Sequence, residues 1–483
     1  MIEFLSTHWP HFLAALSIVI GAIAAAHAAL TKEDVRAATG WVGIILLSPI
    51  VGAIFYFVAG INRIRHTALA TRRSARHALW REFYGPAVPR QAIADCFSTQ
   101  FLPMKTLGDT VTRFPLTSGN NIQMLHDGDE AYAQIGEAIE NARNSILLET
   151  YIFDRDRIGT RIADLLIAAH MRGVTVRVLI DSVGARYSVP SIVHHLRAGG
   201  VNTLTFNGKV ITGLRLPYAN LRTHRKIIVI DDEVAFTGGM NIREAFTREF
   251  HGDNRSLDTH FRVTGPVVGD LFAVAAEDWH FASGEKLAAA SDPHGAVAAT
   301  DPIFTRVVSS GPDGSIETNH KMLIGAFSVA QKTIRIMSPY FLPDRELISA
   351  MVTAARRGVE IDILLPSQNN LKLVDHAMTA QFDQVLKGGC RIWRVNGAFD
   401  HSKLLTIDGQ WSYVGSSNLD PRSLRLNFEV DLEVLDSGFA GMVGDRIDRA
   451  MRDVTEVTLH GLRRRPFLLR LVEKILWLGS PYL

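Results

Sequence analysis

Two short stretches of the chain carry the same polar residues at the same spacing: HRKIIVID at 224–231 and HSKLLTID at 401–408. Each reads His-x-Lys-x4-Asp, giving His224, Lys226 and Asp231 in the first and His401, Lys403 and Asp408 in the second. Both sit on runs of Ile, Leu, Val and Thr that read as buried strands. Side chains alternate along a strand, so each His shares a face with its Lys. The Asp falls on the opposite parity or just past the strand end, which makes it a support within the catalytic motif. Two imidazoles and two ammonium groups converging on one site suit a phosphodiester. One His attacks phosphorus, the other protonates the leaving alcohol, and the lysines hold the non-bridging oxygens.

A small-residue turn ending in Asn follows each triplet: Gly238, Gly239 and Asn241, then Gly415, Ser416, Ser417 and Asn418. Small residues let the backbone approach a phosphate, and the Asn241 and Asn418 amides can donate to its oxygens. Two identical histidines must differ in protonation. A carboxylate on the second ring nitrogen would orient each one, and Asp258 and Glu429, each downstream of its own motif, are the candidates. Lys is not a usual metal ligand and no carboxylates cluster with the histidines, so neither a metal nor another cofactor is expected. Glu149, Tyr151 and Tyr340 have the placement to border the site, and Arg422 and Ser423 to brace the second Asn loop.

The elements that must position these groups read as a duplicated α/β body. Strand, amphipathic helix and strand follow one another over 144–153, 159–173 and 174–181, and again over 332–341, 344–358 and 359–366. A further helix is expected over 369–389. AAHMRGVTVRVLI in the first half matches AARRGVEIDILL in the second. The expected architecture is two mixed-sheet halves related by a pseudo-twofold axis, at 119–282 and 304–460, joined by an Ala/Ser/Asp/Pro-rich linker at 283–303.

Ahead of the body, residues 12–30 and 41–61 are apolar stretches long enough to cross a bilayer, joined by a short polar connector. They read as a transmembrane hairpin over 1–62. A cleaved signal peptide is the alternative for the first stretch, but residues 1–11 hold no Lys or Arg. Arg63, Arg65, Arg72, Arg73, Arg76 and Arg81 mark 63–118 as a basic juxtamembrane linker and place both termini on the cytoplasmic side. The tail, 461–483, mixes Arg463, Arg464, Arg465, Arg470 and Lys474 with Phe, Leu and Trp; it reads as an interfacial amphipathic helix or as a helix packed on the body. Across 483 residues the net charge is only +2, which argues against nucleic acid as a partner. Cys96 and Cys390, far apart, form neither a disulfide framework nor a metal motif and fit a reducing compartment.

The doubled motif with its Gly/Ser–Asn sequel resembles the phospholipase D superfamily. Within it the chain is most similar to membrane-anchored bacterial cardiolipin synthases, through Trp41, Pro49, Gly52, Tyr56 and Gly60, through DTHFRVTGPVV and SPYFLPD, and above all through VGSSNLDPRSLRLNFEVDL at 414–432. The resemblance implies transfer of a phosphatidyl group from one phosphatidylglycerol to another through a phosphohistidine, with release of glycerol. It implies His224 as nucleophile and His401 as acid/base, at the inner membrane, with membrane phospholipids as partners. Two departures stand out: Ala398 replaces a Gly near the second motif, and Asp231-Asp232 replaces an Asp-Gly turn. A phosphodiester hydrolase and a catalytically silent lipid-binding scaffold remain as alternatives.

Overall fold

The computed structural model describes residues 2–32, 34–60, 87–207, 221–288, 303–313 and 315–480. The arginine run at 63–81 and most of the expected 283–303 linker lie outside them. The chain divides into two compact units, 1–70 and 71–483.

The N-terminal unit begins with the helix Ile2–Thr31, whose His8–Thr31 part is the one helix among the described residues long and apolar enough to cross a membrane. The second apolar stretch is not the single helix expected. It runs Val35–Leu47, breaks at Ser48 and resumes as Pro49–Phe55. The cause is Pro49, whose ring disfavours helical geometry at the residue before it; Ser48 sits at φ −146° and ψ 82°. The two stretches touch through His27 Nδ1 and the Tyr56 hydroxyl, 2.8 Å apart. Gly21 is needed there, because a Cβ would stand 2.7 Å from Pro49 Cβ.

In the larger unit the first half contains β1 (Thr117–Leu125), β2 (Ser145–Thr150), β3 (Thr175–Asp181), β4 (Asn202–Phe206), β5 (Arg222–Thr223), β6 (Ile227–Ile230), β7 (Val234–Gly238) and β8 (His260–Thr264). The second contains β9 (Ile303–Ser310), β10 (Thr333–Met337), β11 (Glu360–Pro366), β12 (Arg391–Val395), β13 (Leu404–Ile407), β14 (Trp411–Gly415), β15 (Asn427–Leu435) and β16 (Val454–Glu456). β1 and β9 pair antiparallel and fuse the halves into one sheet. Read outward from that seam, one half runs β1-β8-β7-β6-β2-β3-β4 and the other β9-β15-β14-β13-β10-β11-β12, strand for strand the same order. β16 adds an edge to the second.

Apolar residues of the parallel strands β2 and β3 pack on the helices Gly128–Asn141 and Arg157–Met171 to make the first core. The second core forms around β10, β11 and the helices Thr318–Val329 and Arg345–Arg356. It also takes in Val88, Ile93, Phe101, Met104 and Leu116. The C-terminal part of the expected 63–118 linker is therefore packed structure, because its apolar residues recur on helices Arg90–Cys96 and Leu102–Val111 rather than in a solvated stretch. The helix expected over 369–389 is two, Lys372–Thr379 and Phe382–Lys387.

Candidate active site

Neither His–Lys pair lies on a strand, contrary to the sequence expectation. His224 to Lys226 precede β6, and His401 to Lys403 precede β13. The backbone there bonds across the molecule instead. His224 N donates to Phe428 O at 2.8 Å, and His401 N donates to Leu257 O at 2.7 Å. Those carbonyls belong to the residues just before Glu429 and Asp258. One set of cross-half hydrogen bonds thus brings a carboxylate from each half against the imidazole of the other. Glu429 Oε2 lies 3.0 Å from His224 Nδ1, and Asp258 Oδ2 lies 2.8 Å from His401 Nδ1. The two carboxylates are the ones picked from the sequence, but each serves the motif it does not follow. Sequence order could not reveal this, because the exchange is made by β5 pairing with β15 and by the Leu257–Asp400 bridge.

The two histidines and two lysines share one electrostatic environment. Burial pushes Lys226 down to about 7, opposed by Glu429, with Lys403 adding to the fall. Lys403 is pushed down to about 8 by burial, opposed by Asp258 and Glu429. Both imidazoles fall below their usual value through burial, His401 further because Lys403, Lys226 and His224 all face it. Such a site offers its cationic forms far more readily to an anion than to water.

The carboxylates differ. Ser416 Oγ donates to Glu429 Oε2 at 2.6 Å, and Asn427 Nδ2 donates to Oε1 at 3.2 Å. With His224 and Lys226 beside it, Glu429 stays below its usual value despite burial. At the position matching Ser416 the first half has Gly239, where a Cβ would sit 2.3 Å from Asp258 Oδ1. No hydroxyl fits there, and Asp258 is pushed up to about 7 by burial, with Asp400 adding to the rise. Lys403 Nζ lies 2.9 Å from His401 Nδ1, the same atom that faces Asp258. Each lysine donates to the carbonyl of its own histidine, Lys226 to His224 O at 2.6 Å and Lys403 to His401 O; Lys403 in addition reaches both nitrogens of its imidazole.

Asp231 and Asp408 are braces. Asp231 accepts from the backbone N–H groups of Arg143, Asn144 and Ser145, and Asp408 from those of Gln331, Lys332 and Thr333, all at 2.7–2.9 Å. Each ties the turn after its motif strand to the start of β2 or β10. Asp231 and Asp232 both have positive φ, 54° and 58°, where the second half has Asp408 and Gly409 at 54° and 65°. Asn241 Oδ1 accepts from Ile152 N at 3.1 Å, and Tyr132 donates to the Asn241 carbonyl at 2.5 Å. Asn418 is equally buried, and no hydrogen-bond partner for its Oδ1 occurs among the described residues.

Tyr151 and Tyr340 do border the histidines, with ring centroids 5.1 Å from His224 and 6.1 Å from His401. Glu149 does not: it is sealed beneath the site and accepts from Thr223. Ser423 N donates to Asp420 Oδ1, which caps the short helix Pro421–Arg425 after the second Asn loop. Sequence reasoning missed Arg225, held by Asp278 and by Glu429 O, and Asp400, held by Arg446. Asp278 and Arg446 sit on helices with no motif to flag them. The His320, Asp344 and Glu346 cluster, the grouping of possible metal ligands among the described residues, holds no motif residue, and Arg425 stands against its carboxylates.

Comparison with known proteins gives matches along nearly the whole chain. A family model described as cardiolipin synthase, PLD-like domain, matches residues 135–254 and 323–451. A second, described as phospholipase D-nuclease N-terminal, matches 14–60. A cardiolipin synthase of Alkalihalophilus pseudofirmus is 31% identical over 449 residues, covering 92% of this chain and 88% of that one. Cardiolipin synthase A of Pseudomonas fluorescens is 31% identical over 493 residues and is covered, like this chain, in full. The crystal structure of phosphatidylserine synthase from Haemophilus influenzae shares the fold, with a TM-score of 0.60 at 15% identity over 79% of this chain and all of that one.

Proposed function

The chain belongs to the cardiolipin synthase family of phospholipase D-like proteins, and from that premise we propose that it joins two phosphatidylglycerol molecules into cardiolipin with release of glycerol. The observation that carries this reading is the reciprocal exchange of Glu429 and Asp258 between two His–Lys pairs.

In the proposed first half-reaction, His224 Nε2 attacks phosphorus of a phosphatidylglycerol. Its Nδ1–H is held by an ionised Glu429, which orients the ring and stabilises the charge that forms on it. Lys226 and Lys403 face the non-bridging oxygens, and the Asn241 and Asn418 amides complete their binding. His401 gives its proton to the departing glycerol oxygen. The incoming diester anion favours the protonated form of this otherwise depressed imidazole. In the second half-reaction His401, now neutral, takes the proton from the primary hydroxyl of a second phosphatidylglycerol as that oxygen displaces His224. No water is consumed and no cofactor is required.

The first apolar helix supports membrane attachment. We place the broken second stretch in the same bilayer and the body on the cytoplasmic side, as the Arg63–Arg81 run favours.

The test supplies labelled phosphatidylglycerol as sole phospholipid to membranes holding the protein, beside a His224→Ala control. Equal amounts of cardiolipin and free glycerol, both lost in the control, are expected. Phosphatidic acid without cardiolipin would identify a hydrolase, and no His224-dependent product would end the transferase reading.

A further inference from the structure

The C-terminal helix Phe467–Leu478 is built inside out. Its one acid, Glu473, is buried and paired with Arg465 at 2.6 Å, with His376 Nδ1 at 3.8 Å. Lys474 Nζ turns inward to donate to Ala380 O at 2.6 Å. Leu476 and Trp477 rest on the second core. The outward face is apolar: Phe467 and Leu468 are 73% and 72% exposed, Ile475 57% and Leu478 72%, with Leu471 and Val472 between them. Arg463, Arg464 and Arg470 stand exposed around its N-terminal end. A helix that settles on a protein in water turns its polar side outward. This one does the reverse.

We propose that this face docks on an anionic lipid surface, its apolar residues entering the headgroup–acyl boundary and its arginines meeting lipid phosphates. Every exposed charge on the segment is positive, which complements anionic headgroups. A second copy of the chain would offer the same face no acid, so self-pairing would set basic rim beside basic rim. The neighbouring helix Lys372–Thr379 packs against Glu473 through His376, and its start exposes Leu371 at the cap and Leu373 in the first turn. Asn370, just before that cap, accepts from the Tyr340 hydroxyl at 2.7 Å, and Tyr340 lies edge-on to His401. The docked helix is thus linked through the helix Lys372–Thr379 to the residues beside His401, so docking would bring that side of the site toward the layer that holds the substrate. The inference rests on the lipid reading above and extends it to a contact outside the catalytic groups.

The experiment uses the full chain with Cys96→Ser and Ile475→Cys, labelled with an environment-sensitive dye; buried Cys390, its thiol pushed up to about 11, stays unlabelled. Reconstituted into phosphatidylglycerol-rich vesicles, the dye is expected to shift to the blue and to be quenched by bromolipid. Reconstituted into phosphatidylcholine vesicles it should respond several-fold less. Replacing Arg463, Arg464 and Arg470 by Glu should remove most of the response, while transfer from detergent-dispersed phosphatidylglycerol persists. A dye that stays water-like in both vesicles would overturn docking. So would disulfide dimers of the unlabelled Ile475→Cys protein, formed under a mild oxidant in the same vesicles, since a second copy would then cover the face. Cardiolipin formation is scored on the same samples, so docking without transfer would contradict the proposed function and leave this inference standing.

Discussion

The two halves of the site share every motif residue but hold their histidines differently. His224 faces a Glu429 that is fixed by Ser416 and Asn427 and kept ionised. Its lysine donates to the His224 carbonyl, and Glu429 is the partner of Nδ1. His401 faces an Asp258 pushed up to about 7, and its own Nδ1 is shared with Lys403. One Nδ1 cannot donate to a carboxylate and accept from an ammonium at once. The first imidazole has Glu429 at Nδ1, as the proposed nucleophile needs; the second divides Nδ1 between Asp258 and Lys403 and is pushed down further, so it stays neutral until an anion binds. Around like motifs the halves diverge at the carboxylates themselves, Asp258 against Glu429, and at Gly239 against Ser416.

The largest effects should come from removing the rings. His224→Ala is expected to abolish both transfer and covalent labelling of the protein by donor lipid. His401→Ala should slow turnover by about 10²–10⁴-fold, the usual span for general acid–base catalysis, yet still allow slow labelling at His224. Stopped assays with radiolabelled phosphatidylglycerol and peptide mapping would read both.

Next in size is the pH dependence. Lysines with ordinary values would keep kcat/KM level to about pH 10. With Lys226 at about 7 and Lys403 at about 8, both lose charge as pH rises through those values, so kcat/KM should fall from about pH 7–8 upward. The imidazoles are depressed, so His224 stays neutral and competent at and above pH 6.5. A profile level to pH 10 would remove the electrostatic part of the comparison.

The braces come third. Asp408→Ala takes three backbone donors from their acceptor. It should cost roughly 2–4 kcal/mol of stability, since hydrogen bonds to a charged group contribute about 1.5–3 kcal/mol each and do not add fully. Thermal unfolding in detergent would measure it, and Asp231→Ala should cost no more, since Asp408 accepts also from Gln100 Nε2 at 2.6 Å. The smallest effect separates the two turns. Asp232 holds a positive φ that Gly409 adopts without strain, so Asp232→Gly is expected to raise stability by up to about 1 kcal/mol. No gain would mean that the Asp232 side chain repays its backbone.

Much of this was legible in the residues. The doubled motif, its small-residue–Asn turn and the strand–helix alternation disclosed the duplicated α/β body, because each is a local pattern with a local cause. The candidate carboxylates were legible too, but not their partners, since a cross-half bridge leaves no trace in sequence order. The break before Pro49 was legible in principle; a count of apolar residues overlooked it. Residues 87–116 read as linker because they precede the repeat. Only the folded chain sets Ile93, Phe101 and Met104 in the second core.

The reciprocal exchange is tested most directly by comparing Glu429→Gln and Asp258→Asn in one labelling experiment. Full-length protein in vesicles would receive donor lipid labelled in the phosphatidyl group, followed by rapid quenching and quantification of adduct at His224. Glu429→Gln is expected to lose the adduct as His224→Ala does, and Asp258→Asn to retain it while slowing turnover. Loss of adduct with Asp258→Asn and retention with Glu429→Gln would mean that each carboxylate serves its own half, and would contradict the account.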